Sequence, residues 1–396
     1  MKKIRILLLA IILIMPLATL SSATGSQNVE PTKIRYSAGS TTAKKKIGVV
    51  FATGGLGDKS FNDAGKRGVD QALLDYPDNV TIDWVEPQDV PEFKTYQTDY
   101  AEDGTYDLII CIGFLQTSAL NETSLTHPNQ NWVLIDDQIN RSNIQNYLFK
   151  EHEGSFLVGA MAAMTTQTGK IGFVGGMDIY LINKFLAGYR QGAHYINSSI
   201  EVTAVYSPLP PPDCWNDIPS GKNMGKTLIG KDMDVVFAAA GGTGIGVFQA
   251  AEEEEVYAIG VDSDQDAEAK GTVLCSMLKL VETATYNSIN DTIHGTWENG
   301  TKILGLAEEG VGISPMTYTQ EEANTNFTFK GVSKSRWDWV MDFKKKIIDG
   351  TIKVEEVPDW EKLQRIQMAT PGFEGFLAIM ILMGLAAIQI NRRRQS

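Results

Sequence analysis

The chain has 396 residues, of which 48 are acidic and 35 are basic, so its formal net charge is −13. This excess of carboxylates argues against a nucleic-acid-binding protein, because binding to phosphates needs clustered lysine and arginine. The length is sufficient for more than one compact unit.

The N-terminus has the layout of a secretory signal. Lysine and arginine precede an apolar run over residues 6–20, and small residues follow at 21–23. This order predicts a signal peptide at residues 1–23, with a retained signal anchor as the alternative. Residues 24–43 are rich in Ser, Thr, Gly and Ala and are expected to form a linker.

From residue 44 onwards, short apolar runs alternate with helical patterns. The predicted strands are 46–51, 80–85, 108–112, 132–135, 170–174, 202–206, 235–239, 256–261 and 273–278. The predicted helices are 60–76, 115–125, 154–166, 179–196 and 244–254. This alternation predicts an α/β fold built from parallel βαβ units.

The two series of βαβ units join near residue 150 and predict two similar lobes with a cleft between them. The first lobe is expected to span residues 44–150 and to include 265–300, with the strand at 273–278 and the helix after it. The second lobe is expected to span residues 151–264 and to include 301–348.

The C-terminus carries a second apolar segment. Residues 349–370 are polar and predict a stalk, and residues 371–396 contain an apolar run that ends at three arginines. The run is close to the shortest helix that spans a bilayer, and the arginines would stay cytoplasmic, which places the lobes outside the cell. Thr370 to Phe373 also resembles the archaeal PGF-type sorting signal, which would imply cleavage and lipid attachment there.

Cysteines and sequons indicate which metal sites and modifications to expect. The three cysteines form no Cys-x-x-Cys motif and no cluster with histidine, so neither a metal nor a cofactor is expected. Seven Asn-x-Ser/Thr sequons fit a glycosylated exported surface. They lie at Asn79, Asn121, Asn140, Asn197, Asn290, Asn299 and Asn326.

Two oppositely charged residues end neighbouring strands. Asp262 follows the strand at 256–261, and Lys279 follows the strand at 273–278. Because ligands bind outside the carboxyl ends of strands in such sheets, these two side chains should meet at one cleft. An acceptor beside a donor suits the two hydroxyls of a ribose.

An enzymatic reading of the same segment is weaker. Asp262 and Asp264 could form the acid–base pair of a nucleosidase. Carboxylates two residues apart at a strand end are common in turns, however, and a glycosidic pair needs a defined separation across its substrate. The chain is therefore expected not to be an enzyme.

The glycine-rich loop at residues 52–62 lies between a strand and a helix. It contains neither a Walker motif nor a G-x-G-x-x-G run in register. Asp58 and Ser60 can cap the following helix, and Asp58 is also a possible ligand-binding residue. Phe61 and Asn62 could stack on a base and read its edge, although Phe61 could instead pack inward.

Two further strand ends supply candidates. Asp136 follows the strand at 132–135 and is expected either to accept from a base edge or to lie in a solvated turn. The glycine run at 241–246 follows another strand, and Gly242 could let the backbone approach a ligand or serve as a tight turn.

Four blocks in this order resemble the basic membrane protein family, also called the purine nucleoside receptor A family, of ABC-transporter substrate-binding proteins. The blocks are residues 58–62, residues 172–177, residues 235–246, and residues 259–265 with 276–279. The resemblance implies a type I periplasmic-binding-protein fold with two Rossmann-like lobes, a hinge and a central cleft. It also implies purine nucleosides as ligands and a membrane permease as the partner.

The resemblance assigns roles to single residues. Phe61 would stack on the base and Asn62 would bond to it, and Asp136 would hold the base edge. Asp262 and Lys279 would hold the ribose hydroxyls. Gly242 would line the pocket, and Phe185 would supply a facing ring, although Phe185 could equally be a core residue.

The chain also departs from the family pattern. Residues 207–216 form a proline-rich segment in place of a short acidic-aromatic turn, and Trp215 in it is a candidate to enter the cleft and alter ligand choice. The anchor is C-terminal rather than a lipidated N-terminal cysteine. The expected function is an extracytoplasmic binding protein for purine nucleosides at the outer face of the membrane. The alternatives are a binding or signalling receptor for another aromatic solute such as a flavin, and a surface nucleosidase.

Overall fold

The computed structural model describes residues 44–357. The predicted signal peptide, linker and C-terminal anchor, and most of the predicted stalk, lie outside the described residues. Within residues 44–357, none of the helices combines the length and the apolar character that crossing a bilayer requires.

The described part of the chain alternates strands and helices. The strands are β1 (Lys45–Val50), β2 (Val80–Val85), β3 (Leu108–Ile112), β4 (Trp132–Ile135), β5 (Ile144–Phe149), β6 (Lys170–Gly175), β7 (Glu201–Tyr206), β8 (Val235–Ala239), β9 (Tyr257–Asp262), β10 (Val273–Lys279), β11 (Gly300–Leu304), β12 (Val311–Ile313), β13 (Asn326–Phe329) and β14 (Val332–Ser335). The helices are α1 (Phe61–Asp75), α2 (Glu92–Asp103), α3 (Thr117–Thr126), α4 (Glu151–Thr165), α5 (Tyr180–Ile196), α6 (Ile218–Ile229), α7 (Gly244–Glu253), α8 (Val281–His294), α9 (Gln320–Asn324) and α10 (Arg336–Ile348).

Two six-stranded sheets form the centres of two lobes. The first has the order β2-β1-β3-β4-β5-β11, and all of its strands are parallel. The second has the order β7-β6-β8-β9-β10-β12, in which only the pairing of β12 with β10 is antiparallel. The two sheets share the same internal strand order, so the predicted α/β architecture with two similar lobes is confirmed.

Helices cover both faces of each sheet, as buried parallel sheets require. In the first lobe α1 packs against α8 and α2 against α3. In the second lobe α4 packs against α5 and α6 against α7. The α1 and α4 faces of the two sheets share one continuous apolar core, which spans the junction between the lobes.

The predicted strands are present within one residue of their expected bounds, because their apolar runs are short and clearly delimited. Strand β5 was not predicted, because Gln145 and Asn146 interrupt its apolar pattern. Both residues are buried, and their side-chain amides bond to Glu298 and Ile139.

Two expectations about the lobes are wrong. Strand β10 pairs with β9 in the second sheet rather than joining the first lobe, and only the helix after it, α8, packs there. Strand β11, expected in the second lobe, pairs with β5 in the first sheet. The burial of β10 on both faces suits either sheet equally, so its sequence pattern did not decide between them.

Within the described range the chain crosses between the lobes three times. The crossings follow β5, β10 and β11. They lie side by side, since the N–H of Lys150 donates to the carbonyl of Leu304 at 2.9 Å and the N–H of Leu280 donates to that of Gly310 at 2.9 Å. This group of crossings forms the hinge.

Candidate ligand-binding site

The carboxyl ends of the two sheets face one cavity between the lobes. Its empty volume is about 670 Å³, part of which opens to solvent. The walls are largely apolar with a few polar groups, as is usual for small-molecule sites. The lining residues are Ala52, Thr53, Gly54, Asp58, Phe61, Asn62, Gly113, Phe114, Leu115, Asp136, Leu181, Ile182, Phe185, Trp215, Ala239, Gly241, Val261, Asp262 and Lys279.

Lys279 is the charged centre of this cavity. Its side chain is 2% exposed, and its Nζ lies 2.5 Å from Oδ1 of Asp136 and 3.1 Å from Oε1 of Glu151. Burial, the largest effect, disfavours the ammonium, but the carboxylates of Asp136, Glu151 and Asp262 outweigh it and raise the pKa of Lys279. The side chain is therefore a cation at any physiological pH.

The Asp136–Lys279 pair joins the two lobes. Asp136 follows β4 of the first sheet, whereas Lys279 ends β10 of the second. Asp136 is thus brought to the cavity as expected, but its main partner is a lysine of the opposite lobe. Burial raises the pKa of Asp136, and the neighbouring ammonium of Lys279 opposes that shift.

Asp262 lies at the end of β9 and is 6% exposed. Its Oδ2 accepts a hydrogen bond from Oγ of Ser60 in the first lobe at 2.6 Å. Burial raises the pKa of Asp262 to about 7, although Lys279 and the Ser60 hydroxyl favour the charged form. The carboxylates of Asp136 and Asp58 add to the rise, so this group titrates near neutrality.

The backbone is strained where both aspartates enter the cavity. Asp136 has φ of 80° and Asp262 has φ of 64°, which is the left-handed region that few side chains adopt. Such conformations concentrate at functional sites, where the surrounding structure maintains them.

The loop before α1 is held by its own polar groups. Asp58 accepts from the N–H groups of Ser60, Asn62 and Asp63 and caps the helix as expected, whereas the Ser60 hydroxyl makes no capping bond and donates to Asp262 instead. The side-chain oxygen of Asn62 accepts from the N–H of Ala52 at 2.9 Å, and its amide nitrogen donates to Asp58 at 3.2 Å. Asn62 therefore reaches the cavity with one side-chain proton uncommitted.

Aromatic rings surround the ammonium of Lys279. Its Nζ lies 5.2 Å from the ring centre of Phe61, 5.1 Å from that of Phe149 and 5.6 Å from that of Phe185. Phe61 and Phe185 both line the cavity, although Phe185 is also 2% exposed and packs on Phe237 in the core. The two alternatives raised for Phe185 are thus compatible.

Trp215 enters the cleft from the proline-rich segment. Its ring meets that of Phe114 of the first lobe edge to face, at 6.3 Å between centres. The next residue, Asn216, donates to the carbonyl of Gly54 at 3.2 Å. This segment of the second lobe therefore closes over the first-lobe loop.

Gly242 does not line the cavity, whereas Gly241 does. A Cβ at Gly242 would lie 2.9 Å from the side-chain oxygen of Asn216, so this residue faces the proline-rich segment. Gly241, with φ of 56°, makes the turn that brings the backbone to the cavity. The placement depends on backbone conformation, which the glycine run does not reveal.

Sequence reasoning missed Glu151 and Lys184, which lie behind the cavity. Glu151 contacts Lys279, and its other oxygen lies 2.6 Å from Nζ of Lys184. Glu151 lies two residues after β5, which the sequence pattern did not predict, and Lys184 lies within α5, so the strand-end rule did not find them. Phe114, directly after Gly113 at the end of β3, could have been found by that rule.

A model of one protein family matches residues 44–357, which is the whole described range. Its description is ABC transporter substrate-binding protein PnrA-like, abbreviated Bmp. The chain belongs to the Bmp family. Bmp proteins are substrate-binding components of ABC transporters, which implies a small-molecule ligand and a membrane permease as partner.

Named relatives agree with this assignment. The chain is similar to an uncharacterized lipoprotein of Pyrococcus abyssi, with 33% identity over 69% of this chain and 70% of the relative. It is also similar to the ABC transporter nucleoside-binding protein BmpA of Lactococcus lactis, with 28% identity over 78% of this chain and 88% of the relative.

A solved structure supports the expected fold. The crystal structure of an ABC transporter solute-binding protein from Aeropyrum pernix K1 superposes with a TM-score of 0.71 and 28% identity. The likeness covers 84% of this chain and 98% of the other. The expected type I periplasmic-binding architecture, with two lobes, a hinge and a central cleft, is therefore present in this Bmp protein.

The buried pairing of Lys279 predicts a large cost for its removal. Lys279→Met should leave Asp136 and Glu151 without their shared cation and lower the free energy of unfolding by about 3–5 kcal/mol. Lys302→Met is the control, because Lys302 is 42% exposed in its pair with Asp291 and should cost less than about 1 kcal/mol. Urea unfolding followed by circular dichroism measures both, and equal losses would contradict the assignment of Lys279 as a buried paired cation.

Proposed function

We propose that this Bmp protein binds a purine nucleoside in the cavity between its lobes and delivers it to an ABC permease. The observation that carries the proposal is the meeting of Asp262 and Lys279 at one cavity whose walls include the rings of Phe61 and Phe185. A carboxylate and an ammonium supply an acceptor and a donor for vicinal hydroxyls, and the rings supply apolar faces for a heterocycle.

The hydrogen-bonding capacity left in the cavity fits this ligand. Asp262 has one oxygen engaged by Ser60, which leaves the other to accept from a hydroxyl. Lys279 forms ion pairs with Asp136 and Glu151, and because an ammonium carries three protons it can also donate to a ligand oxygen. Asn62 and Asp136 lie on the first-lobe side, where they would bond to the base edge.

The contacts between the lobes describe how the ligand would be enclosed. Ser60 of the first lobe bonds to Asp262, and the hydroxyl of Ser263 donates to the carbonyl of Ser60 at 2.8 Å. Together with the Asp136–Lys279 pair, these bonds form only when the lobes are close. We infer that binding occurs with open lobes and that closure removes the ligand from water.

The proposal is tested by calorimetry with guanosine and inosine on the purified chain. Saturable binding with a Kd in the micromolar range or tighter is expected, which corresponds to a binding free energy of about −8 kcal/mol or more negative. Chromatography of the recovered ligand should show intact nucleoside. Free base would indicate a nucleosidase instead, and binding of flavins but not nucleosides would overturn the ligand assignment.

Asp262→Asn should weaken guanosine binding roughly 10- to 100-fold, because hydrogen bonds to a charged group contribute about 1.5–3 kcal/mol. The fold should persist, since asparagine has the same shape and tolerates the left-handed backbone. Asp264→Asn is the control, because Asp264 lies two residues further along the same loop, is exposed and does not line the cavity. Equal affinities of the two variants would remove the ribose assignment.

Guanosine affinity should also depend on pH. A hydroxyl that donates to Asp262 favours the carboxylate, so the ligand lowers a pKa that burial had raised to about 7. Binding then releases a proton below pH 7, and affinity should fall about tenfold from pH 8 to pH 6. The dependence should vanish in Asp262→Asn and persist in Asp264→Asn, and a flat wild-type profile would contradict the contact.

We also propose that the protein is exported and held at the outer face of the membrane by its C-terminal segment. The apolar run and the three arginines after residue 370 support this. The lipoprotein name of the Pyrococcus relative supports membrane attachment alone. In fractionated cells the full chain should stay with membranes, whereas a chain that ends at Thr370 should be released and still bind guanosine. Membrane retention of the shorter chain would contradict C-terminal anchoring.

A further inference from the structure

Two ionised side chains lie against the cavity without lining it. Glu151, the first residue of α4, is 0% exposed, and Lys184, in α5, is 7% exposed. Neither belongs to the cavity wall. Any effect of these residues on a ligand must therefore act through a residue that does reach the cavity.

Both residues belong to a buried chain of alternating charges, Asp136–Lys279–Glu151–Lys184. The successive distances between nitrogen and oxygen are 2.5 Å, 3.1 Å and 2.6 Å. Burying an ion costs several kcal/mol unless it is paired, so each member requires its neighbours. The pKa of Glu151 is lowered, because the two ammonium groups more than offset its burial, which alone would raise it.

The chain of charges also contacts the hinge. Glu151 directly follows the crossing after β5, and Lys279 directly precedes the crossing after β10. Lys184 donates to the carbonyl of Phe149, the last residue of β5, at 2.6 Å. The far end of the chain is therefore attached to the backbone that connects the lobes.

We propose that Glu151 and Lys184 are positioning residues for the ligand, which fix the Lys279 ammonium so that its third proton faces the cavity. This inference rests on the proposed nucleoside function. Asp136 alone would let the ammonium rotate about one short contact. A second carboxylate from another direction, itself held by Lys184, removes that freedom and determines which ligand oxygen the proton meets.

A purely structural pair would affect all ligands alike, whereas a positioning pair affects the hydroxyl that Lys279 contacts. Guanosine, 2′-deoxyguanosine and 3′-deoxyguanosine differ only in those hydroxyls. The measured quantity is the preference for guanosine over each deoxy analogue, taken from calorimetric Kd values on the full chain.

Glu151→Gln removes the charge and keeps the shape. The wild type should prefer guanosine over at least one deoxy analogue by roughly tenfold or more. In Glu151→Gln that preference should largely disappear, while the Kd for the same analogue should change by less than about threefold. Lys184→Gln should shift the preference in the same direction by a smaller factor, because it keeps the Glu151–Lys279 contact and can still donate to Phe149.

Glu153→Gln is the matched control. Glu153 also lies in the first turn of α4, pairs with Lys150 at 3.3 Å and accepts from the N–H of Leu306 at 2.8 Å near the hinge. Among the ion pairs of the described residues, Glu153 has no contact with Lys279. The Glu153→Gln variant should therefore prefer guanosine over each deoxy analogue as strongly as the wild type does.

Equal losses for all three ligands, or an unchanged preference, in Glu151→Gln would overturn the inference. If Glu151→Gln does not fold, the preference of Lys184→Gln decides in its place, and a wild-type value there overturns the inference. A wild type that binds none of these nucleosides would instead refute the proposed function, and a wild type that binds all three equally would refute its ribose assignment.

Discussion

A single buried ammonium determines how the two lobes fit together. Lys279 is carried by the second sheet, yet its shortest contact is with Asp136 at the tip of the first. Because ions removed from water must be paired, the closed arrangement is acceptable only where these two strand tips meet. The geometry of the cleft therefore depends on the pairing of these buried charges. Glu151 and Lys184 complete that pairing behind the cavity.

The aromatic walls of the cavity also contact the Lys279 ammonium. Three phenylalanine rings lie within 5.6 Å of the Lys279 nitrogen, so the surface that offers apolar faces to a heterocycle also contacts the cation. An apolar surrounding strengthens each pairing and penalises any charge that lacks one. Asp262 shows the penalty, since it has no direct ion pair within 4 Å among the described residues and its pKa rises to about 7.

Much of this architecture follows from local patterns. Short apolar runs located the strands, and the rule that ligands bind at strand tips located Asp136, Asp262 and Lys279. The rule could not assign β10 to a sheet, because a strand buried on both faces fits either one. It also could not find Glu151 or Lys184, whose roles arise from the packing of two helices at the hinge. Which of Gly241 and Gly242 lines the cavity depends on the positive φ of Gly241, which the sequence does not reveal.

The left-handed backbone at Asp136 and Asp262 restricts how this cleft can diverge. Aspartate, asparagine and glycine adopt that conformation most readily, whereas β-branched residues are strongly disfavoured there. The two carboxylates are thus constrained by the main chain as well as by charge. Substitutions that change ligand preference would cost the least stability in the proline-rich segment around Trp215, because this segment reaches the cavity without taking part in the buried ion chain. Substitutions in that segment can therefore reshape the cavity without leaving a buried charge unpaired.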